Sequence, residues 1–347
     1  MAISLKKLSE QVMVITGATS GIGLTTARMA ADAGTKLVLA ARNAQALNQL
    51  AEELNARGAQ ALAVPTDVGN RADIEQLAQA AVERFGRIDT WVNNAGVSIF
   101  GRHEEVSDED RQRLFQTNFW GVVHGSFEAL RRMKTDGGAL INIGSEASER
   151  AVPLQGIYAA SKHAVKGFTD SLRMEIERDG LPVSVTLIKP AAIDTMLTVH
   201  AKNYLPHEPR LPPPLYAPEL VAKAILHAAR HPQRDVYVGG AAKLMALGDT
   251  HTPRLLDRFM EATMFKHQQL DHPAPADRRD TLHASDSHEL QQRLGVQYSR
   301  VHERSPYTSL AMRSGPLTTA LLCGGAALAA WKLLAPRPSG IRRIFTK

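Results

Sequence analysis

Short, almost wholly apolar runs alternate with helical stretches through the first two thirds of this 347-residue chain. A run of this kind has no polar side for water, so it predicts a strand that is covered on both faces. Strands that alternate with helices pair in parallel, because each helix returns the chain to the start of the next strand. The pattern therefore predicts an α/β fold: a doubly wound parallel sheet of about seven strands with helices on both faces.

The individual elements follow from the same pattern. Strands are predicted at Gln11–Thr16, Lys36–Ala41, Ala61–Val64, Ile88–Asn93, Ala139–Gly144, Val183–Lys189 and Asp235–Val238. Helices are predicted at Leu24–Ala33, Gln45–Arg57, Ile74–Phe85, Asp108–Met133, Gly156–Arg178 and Pro218–His231. Ser107 is a suitable N-cap for the fourth of these helices. Because such sheets bind ligands beyond the carboxyl ends of their strands, we expect the site there.

The turn after the first strand reads Gly17-Ala18-Thr19-Ser20-Gly21-Ile22-Gly23. Gly17 suits a tight turn, Gly21 lets the backbone approach a pyrophosphate, and Gly23 lets the helix pack closely on the strand. The N-terminus of the next helix offers free N–H groups and a partial positive charge to phosphate. We therefore expect a dinucleotide here, and the alternative is a glycine-rich connector that binds nothing.

Tyr158 and Lys162 lie one turn apart in the predicted helix Gly156–Arg178, so their side chains share a face. Such a pair is weak evidence of catalysis by itself, because surface helices carry such pairs by chance. Its importance rises because Ser145 directly follows a predicted strand and Asn118 lies in the helix before that strand. An unperturbed tyrosine titrates near about 10, and a nearby ammonium group favours the phenolate.

In their order and spacing these motifs resemble the short-chain dehydrogenase/reductase family, over about residues 8–240. The resemblance implies a Rossmann-like fold and a nicotinamide cofactor held by the glycine turn. It also implies that Asp67 and Val68 contact the adenine and that the run Asn93-Asn94-Ala95-Gly96 supports the sheet beside the cofactor. The cofactor-binding residues that it implies are Gly17, Thr19, Ser20, Gly21, Ile22, Gly23, Asp67, Val68, Asn94, Ala95, Gly96, Tyr158, Lys162, Pro190, Ile193 and Thr195.

The resemblance assigns catalysis to Asn118, Ser145, Tyr158 and Lys162. Tyr158 would exchange a proton with the substrate oxygen, Ser145 would donate a hydrogen bond to that oxygen, and Lys162 would lower the tyrosine pKa and contact the cofactor ribose. Asn118 would interrupt its helix and hold a water that links the lysine to solvent. The resemblance also implies a homodimer or homotetramer, paired through the helices around Asn118 and Tyr158. Ala191 departs from the Pro-Gly of the family, a change that we expect to be mild.

The end of the second strand predicts which nicotinamide cofactor is used. NAD sites place an acidic residue there to hold the ribose 2′-hydroxyl, whereas this chain has Ala41 followed by Arg42. A guanidinium can pair bidentately with a 2′-phosphate. We therefore expect Arg42 to bind NADP(H); the alternative is that it starts a solvated helix turn.

The region between Met196 and Tyr216 is rich in leucine and proline. We expect it to cover a bulky, apolar alcohol or ketone, although a loop held by ordinary apolar contacts remains an alternative. The function predicted is an oxidoreductase that interconverts a carbonyl and a secondary alcohol. The rivals are a non-catalytic NADP-binding scaffold or redox sensor and a sugar-nucleotide epimerase. The epimerase also uses a Tyr-x-x-x-Lys pair, but with a different glycine spacing.

Beyond the catalytic domain, predicted at residues 1–245, the composition shifts. Residues 246–313 are expected to form an extension, with a helix at Thr252–Gln269 and a solvated linker at Asp271–His288. Residues 314–347 contain the uncharged run Ser314–Trp331 and a basic tail. This run is borderline in length and hydropathy for a membrane span. We expect association with a membrane from its cytoplasmic side; a helix packed on the domain is the alternative.

Composition excludes several classes of protein. A single cysteine, Cys323, cannot form an internal disulfide, and the polar first ten residues do not resemble a secretory signal. The net charge of +6 fits a solvated surface or contact with anionic lipid or phosphate. The sequence has no basic stripe with interleaved aromatic residues, so nucleic-acid binding is not predicted. No metal is expected, because His272, His283 and His288 lack a ligand spacing typical of zinc.

Overall fold

The computed structural model describes residues 3–285, 290–295 and 300–313. Seven strands form its central sheet: β1 Val12–Thr16, β2 Lys36–Ala41, β3 Ala61–Pro65, β4 Thr90–Asn93, β5 Gly138–Ile143, β6 Val183–Pro190 and β7 Asp235–Val238. They are parallel and lie in the order β7-β6-β5-β4-β1-β2-β3. The strand order reverses between β1 and β4, and the carboxyl ends of these strands open the crevice in which such sheets bind ligands. All seven predicted strands are confirmed.

Helices cover both faces of this sheet. They are α1 Gly21–Asp32, α2 Ala44–Ala56, α3 Arg71–Phe85, α4 Asp108–Phe115, α5 Gly121–Met133, α6 Gly156–Arg178 and α7 Pro218–Ala228. Because side chains alternate along a strand, Met13 and Ile15 of β1 pack with α1, α2 and α7. Val12 and Val14 face the other way and pack with α3, α5 and α6. The prediction of a doubly wound sheet is confirmed.

The long helix predicted at Asp108–Met133 is interrupted near its middle. A π-helical turn, Gln116–Trp120, separates α4 from α5. Asn118 lies in this turn, fully buried, and its side chain makes both a donor and an acceptor bond to the backbone of Val97, at 2.9 and 2.8 Å. The wider turn lets the amide reach the loop after β4. Ser107 caps α4 as expected, accepting from Asp110 N at 3.2 Å.

Three further helices follow the sheet: α8 Gly240–His251, α9 Pro253–His267 and α10 Pro306–Arg313. Met260 and Met264 attach α9 to the domain by packing against Val152. The predicted apolar stripe of this helix is only partly used, because Leu255 and Phe259 stay 67% and 53% exposed. Short strands also pair outside the main sheet. Ile99–Phe100 pairs with Lys202–Asn203, His207–Pro209 pairs with Gln269–Pro273, and Leu215–Tyr216 pairs with Val301–His302.

The prediction of a solvated linker at Asp271–His288 is wrong for its best-packed part. Leu282 is completely buried among Val97, Val106 and Leu114, and Thr281 is buried beside it. The sequence suggested solvation because Leu282 is the only large apolar residue in a polar stretch. Ser314–Trp331 lies outside the described residues, and no helix in the described part is long and apolar enough to cross a membrane.

Candidate active site

The glycine turn between β1 and α1 is built so closely that side chains are excluded from it. Gly17 has a φ of +66°, and a Cβ added to it would lie 2.8 Å from the Cα of Ala95. A Cβ at Gly23 would lie 2.0 Å from the carbonyl oxygen of Gly17. Since non-bonded atoms cannot approach so closely, only glycine fits at these two positions. The turn is therefore tight, and the extension reaches it: Gly21 N donates to the carbonyl oxygen of Gln291 at 2.9 Å, and Leu290 N donates to that of Thr19 at 2.7 Å.

The loop after β4 holds this turn in place. The Asn94 amide donates to the carbonyl oxygens of Thr16 and Gly17, at 2.9 and 3.1 Å. The hydroxyl of Thr16 in turn accepts from the backbone N–H groups of Asn94 and Ala95. Behind them, Asn93 donates to Asn142 at 2.9 Å and so links β4 to β5. Sequence reasoning assigned no role to Thr16, although it opens the Thr-Gly-x-x-x-Gly-x-Gly run, and it missed Asn142, which carries no motif of its own.

One part of the cleft lies beyond the ends of β2 and β3. It forms a cavity of about 90 Å³, lined by Gly17, Thr19, Ser20, Ala41, Arg42, Thr66, Asp67, Val68, Ala95, Gly96, Val97, Thr117, His200, Thr281 and Ser285. Asp67 is held by Arg113 at 2.6 Å. Arg42 donates to the carbonyl oxygens of Thr281 and, at 3.2 Å, Leu282. The predicted residues Arg42, Asp67 and Val68 thus share this cavity with two residues of the extension.

The other part of the cleft is a cavity of about 200 Å³ beyond the ends of β4, β5 and β6. Ser145 follows β5, and Tyr158 and Lys162 project from the first turns of α6. Lys162 is buried, and its ammonium donates to the carbonyl oxygen of Ile143 at 2.9 Å. Its Nζ lies 5.8 Å from the centre of the Tyr158 ring. The predicted residues that line this cavity are Gly17, Ser20, Gly21, Ile22, Asn94, Ala95, Gly96, Ser145, Tyr158, Lys162, Pro190, Ile193 and Thr195.

Burial shifts the pKa values of Tyr158 and Lys162 in this cavity. Desolvation raises the pKa of Tyr158 to about 12, a hydrogen bond with Ser145 opposes that rise, and the charge of Glu146 adds to it. Desolvation also lowers the pKa of Lys162 to about 8. The tyrosine pKa thus moves upward in the protein alone, opposite to the shift expected from the lysine, because burial of the phenol dominates. At neutral pH Tyr158 is therefore protonated.

Asn118 and Gly23 line neither cavity. Asn118 lies behind Gly96, where it binds the loop after β4 and donates to Ser161 Oγ at 3.1 Å. Ser161 donates to the carbonyl oxygen of Tyr158 at 2.7 Å. Through these bonds Asn118 fixes the turn of α6 that carries the tyrosine.

The segment after β6 forms the wall opposite the glycine turn. Thr195 approaches Gly21 so closely that a Cβ on the glycine would meet it at 3.1 Å. Among the described residues, only Leu154 and Leu290 combine a side chain with a positive φ. Ala191 therefore has no left-handed strain, and glycine is not required where the family has it.

The remaining wall of the larger cavity comes from two places. Met196, Leu197, His200, Leu211 and Pro212 belong to the region predicted to cover a substrate, and all five line the cavity. Glu146, Val152 and Gln155 were not predicted and also line it. Desolvation raises the pKa of Glu146 to about 7, which makes it a second titratable group beside Tyr158. Only the position of Glu146 directly after Ser145 could have suggested it.

Histidines contribute no metal centre in the part of the chain that the structure describes. No group of three or more His, Cys, Asp or Glu side chains is arranged there to hold an ion. His283 instead pairs with Asp110, at 2.7 Å between Nε2 and Oδ1.

Comparison with known sequences gives a consistent set of relatives. The short chain dehydrogenase family matches residues 11–204. An oxidoreductase of Bacillus subtilis, YxnA, is 45% identical over 95% of this chain and 92% of its own length. The dehydrogenase/reductase SDR family member 7B of Bos taurus is 37% identical over 55% of this chain and 60% of its own length. The match to the Bacillus protein includes most of the extension, whereas the family match ends before it.

A similar fold is known from a solved structure. The alcohol dehydrogenase of the archaeon Thermococcus sibiricus, solved with 5-hydroxy-NADP, superposes with a TM-score of 0.58 and 28% sequence identity. The superposition covers 65% of this chain and 95% of the archaeal chain. The likeness therefore concerns the sheet domain.

Proposed function

The chain belongs to the short-chain dehydrogenase/reductase family, and from this premise we propose that it is an NADP(H)-dependent oxidoreductase that interconverts a carbonyl and a secondary alcohol. The observation that carries the proposal is the convergence of Ser145, Tyr158 and Lys162 on one cavity that continues from the glycine turn. A glycine turn alone fits many nucleotide-binding proteins. A half-buried tyrosine and a buried lysine beside it fit proton transfer next to a nicotinamide.

The side chains divide the chemistry between them. The nicotinamide cofactor, when bound, supplies or accepts a hydride. Tyr158 is protonated at neutral pH. The protonated phenol can donate a proton to the carbonyl oxygen of a substrate that is being reduced. Ser145 donates a hydrogen bond to the same oxygen as charge develops on it. In the reverse direction the positive charge of Lys162 favours the phenolate, and Asn118 keeps the tyrosine in place through Ser161.

The residues fit a dinucleotide cofactor. Gly17 and Gly23 keep the turn tight, because a Cβ at either would meet protein atoms, and the N-terminus of α1 behind the turn would favour a phosphate group. The buried Ala41 lies where NAD-dependent enzymes carry an acid, and Arg42 follows it directly, which supports NADP(H). The archaeal alcohol dehydrogenase with a similar fold was solved with an NADP derivative, which supports the same choice.

The substrate is inferred from the cavity wall. Val152, Met196, Leu197 and Leu211 give the wall beside Ser145 an apolar character. This favours a bulky, apolar alcohol or ketone, whose hydrocarbon part is removed from water when it binds. Glu146 and Gln155 add polar groups that can orient a second polar atom of such a substrate.

A homodimer or homotetramer is proposed through α5 and α6. Trp120 lies next to the start of α5 and Phe127 lies on it, and both remain about half exposed, at 46% and 50%. Phe127 meets Phe168 of α6 edge to face, with ring centres 6.0 Å apart, so the two helices present a joint apolar surface. Phe127→Glu should convert the assembly to monomers in analytical ultracentrifugation. An unchanged sedimentation coefficient would exclude this face as the interface.

Membrane association is proposed from sequence alone, since residues 314–347 lie outside the described residues. The uncharged run Ser314–Trp331 and the basic tail after it suit the cytoplasmic surface of a bilayer. Deletion of Gly315–Lys347 should release the protein from the membrane fraction. A truncated protein that still sediments with membranes would refute the anchor.

A screen of carbonyl compounds tests the proposed reaction. The full-length protein is incubated with NADPH and a panel of steroid, retinoid, fatty acyl and small aromatic ketones, and absorbance at the nicotinamide band is followed. We expect turnover with an apolar ketone that disappears in Tyr158→Phe. No turnover across the panel, together with tight NADPH binding, would favour the rival function of a non-catalytic NADP-binding scaffold.

A further inference from the structure

A short stretch of the extension, Asp280–Ser285, returns to the catalytic domain and lies over the smaller cavity. We call it the return loop. Thr281 and Ser285 line that cavity together with Arg42 and Asp67. The loop is therefore part of the wall of the proposed cofactor site, although it lies about 240 positions after Arg42 in the chain.

The return loop is fixed to the domain by contacts along its length. The Leu282 side chain is completely buried in an apolar cluster under α4. Thr281 N donates to the carbonyl oxygen of His200 at 2.9 Å. Asp280 pairs with Lys202 at 3.3 Å, and His283 pairs with Asp110 at 2.7 Å. The backbone between these anchors consequently has a defined position.

That backbone holds two arginines. The carbonyl oxygen of Leu282 accepts from Arg42 Nη1 at 3.2 Å and from Arg113 Nε at 3.1 Å. The carbonyl oxygen of Thr281 accepts from Arg42 Nη2. Arg113 in turn holds Asp67 at 2.6 Å. Two polar side chains of the smaller cavity, Arg42 directly and Asp67 through Arg113, are thus linked to the backbone of Leu282.

We propose that the return loop is a specificity element of the cofactor site and that Leu282 is its positioning residue, holding Arg42 where it meets the 2′-phosphate of NADP(H). A long arginine side chain loses much rotamer freedom when it binds a ligand. Two bonds to a fixed backbone remove part of that freedom beforehand, which strengthens binding of the 2′-phosphate. This inference rests on the proposed function, since it deepens the assignment of NADP(H).

The prediction concerns one chemical group, so the test compares two nucleotides that differ in it. Adenosine 2′,5′-bisphosphate and 5′-AMP are titrated into the full-length protein by isothermal calorimetry. We expect the bisphosphate to bind more tightly to the wild type and Arg42→Ala to remove most of the difference. Leu282→Ala should reduce the ratio of the two dissociation constants about tenfold, the size of one charge-assisted hydrogen bond.

Matched variants separate positioning from general loss of packing. Ile176→Ala removes a comparably buried side chain at the far end of α6 and should leave the ratio unchanged. Leu282→Met keeps the volume and should restore it. Asp280→Ala loosens the loop without opening the apolar cluster, because Asp280 Oδ1 accepts from Leu282 N at 2.9 Å. It should lower the ratio about twofold to threefold, and it replaces Leu282→Ala in the test if that variant does not fold.

The outcomes distinguish the two proposals. If the wild type binds both nucleotides equally, the assignment of NADP(H) fails. If Arg42→Ala lowers the ratio while Leu282→Ala and Asp280→Ala keep the wild-type value, NADP(H) stands and the role of the return loop is overturned. An equal fall of the ratio in Ile176→Ala would also overturn the role of the return loop, because the effect would then come from overall stability.

Discussion

The two parts of the cleft are built by different means. The larger cavity, around Tyr158, is made from strand ends and helix starts of the sheet domain. Its proposed proton-transfer residues lie within 18 residues of sequence, from Ser145 to Lys162. The smaller cavity, around Arg42, is closed by the return loop from beyond the sheet. The residues that line the larger cavity all precede the extension, whereas the extension itself lines part of the smaller cavity.

This difference separates the chemistry from the choice of cofactor. Changes at the catalytic part should alter turnover without altering the preference between NADPH and NADH. Changes at Arg42 or the return loop should alter that preference without altering turnover. The glycine turn lies between the two parts and should affect both.

The largest effect is expected at that turn. Gly23→Ala puts a methyl group 2.0 Å from the carbonyl oxygen of Gly17, so the turn must open, and binding of NADPH and NADH should weaken by roughly 100-fold or more. Gly167→Ala is the matched control, because nothing lies within 4 Å of its added Cβ. It should bind cofactor normally and unfold at a slightly higher temperature. Fluorescence titration measures cofactor binding by both variants. Near-normal binding by Gly23→Ala would show that the turn does not hold the cofactor.

An intermediate effect is expected at the smaller cavity. Arg42→Glu replaces a partner of the 2′-phosphate by a carboxylate that repels it, and it should shift the ratio of kcat/KM for NADPH and NADH by about 100-fold toward NADH. The rate at saturating cofactor should change little, because the catalytic group is untouched. A variant that keeps the wild-type preference for NADPH would contradict the assignment of Arg42.

The smallest effect is expected from Glu146, and it should be confined to the catalytic part. Burial raises its pKa in the folded protein to about 7, above the value of about 4.5 in the unfolded chain. Its contribution to stability is therefore fully present below pH 4.5 and is lost as the pH rises through 7. At pH 8 Glu146→Gln should be more stable by about 2 kcal/mol, less than the full equivalent of the shift because the side chain is partly exposed.

The same titration should appear in the kinetics. Ionised Glu146 makes Tyr158 a weaker acid, so carbonyl reduction by the wild type should fall a few-fold between pH 6 and pH 8. Glu146→Gln should lose the fall centred near pH 7, while the titration of Lys162 near pH 8 remains, and its preference for NADPH should be unchanged. Denaturant unfolding and initial rates measure the two effects. Parallel profiles for wild type and variant would rule out Glu146 as the titrating group.

Periodicity and short motifs were enough to predict the sheet domain. Buried strands read as apolar runs, and the glycine turn, the Asn94 loop and the Tyr158 helix each carry a local signal. Two features were not predictable in this way. The rise in the pKa of Tyr158 comes from burial, which depends on the loops that cover the cavity. The position of the return loop depends on one leucine, Leu282, inside a polar stretch that composition alone assigns to solvent.

The account depends most directly on Tyr158 as the proton donor. The decisive measurement is the single-turnover rate of NADPH oxidation by wild type and Tyr158→Phe with a ketone found in the screen, with NADPH affinity measured in parallel. We expect the rate to fall by about 10²- to 10⁴-fold while the affinity changes little, because the ring still fills its place and only the proton is lost. A phenylalanine variant that turns over at nearly the wild-type rate would contradict the proposed mechanism.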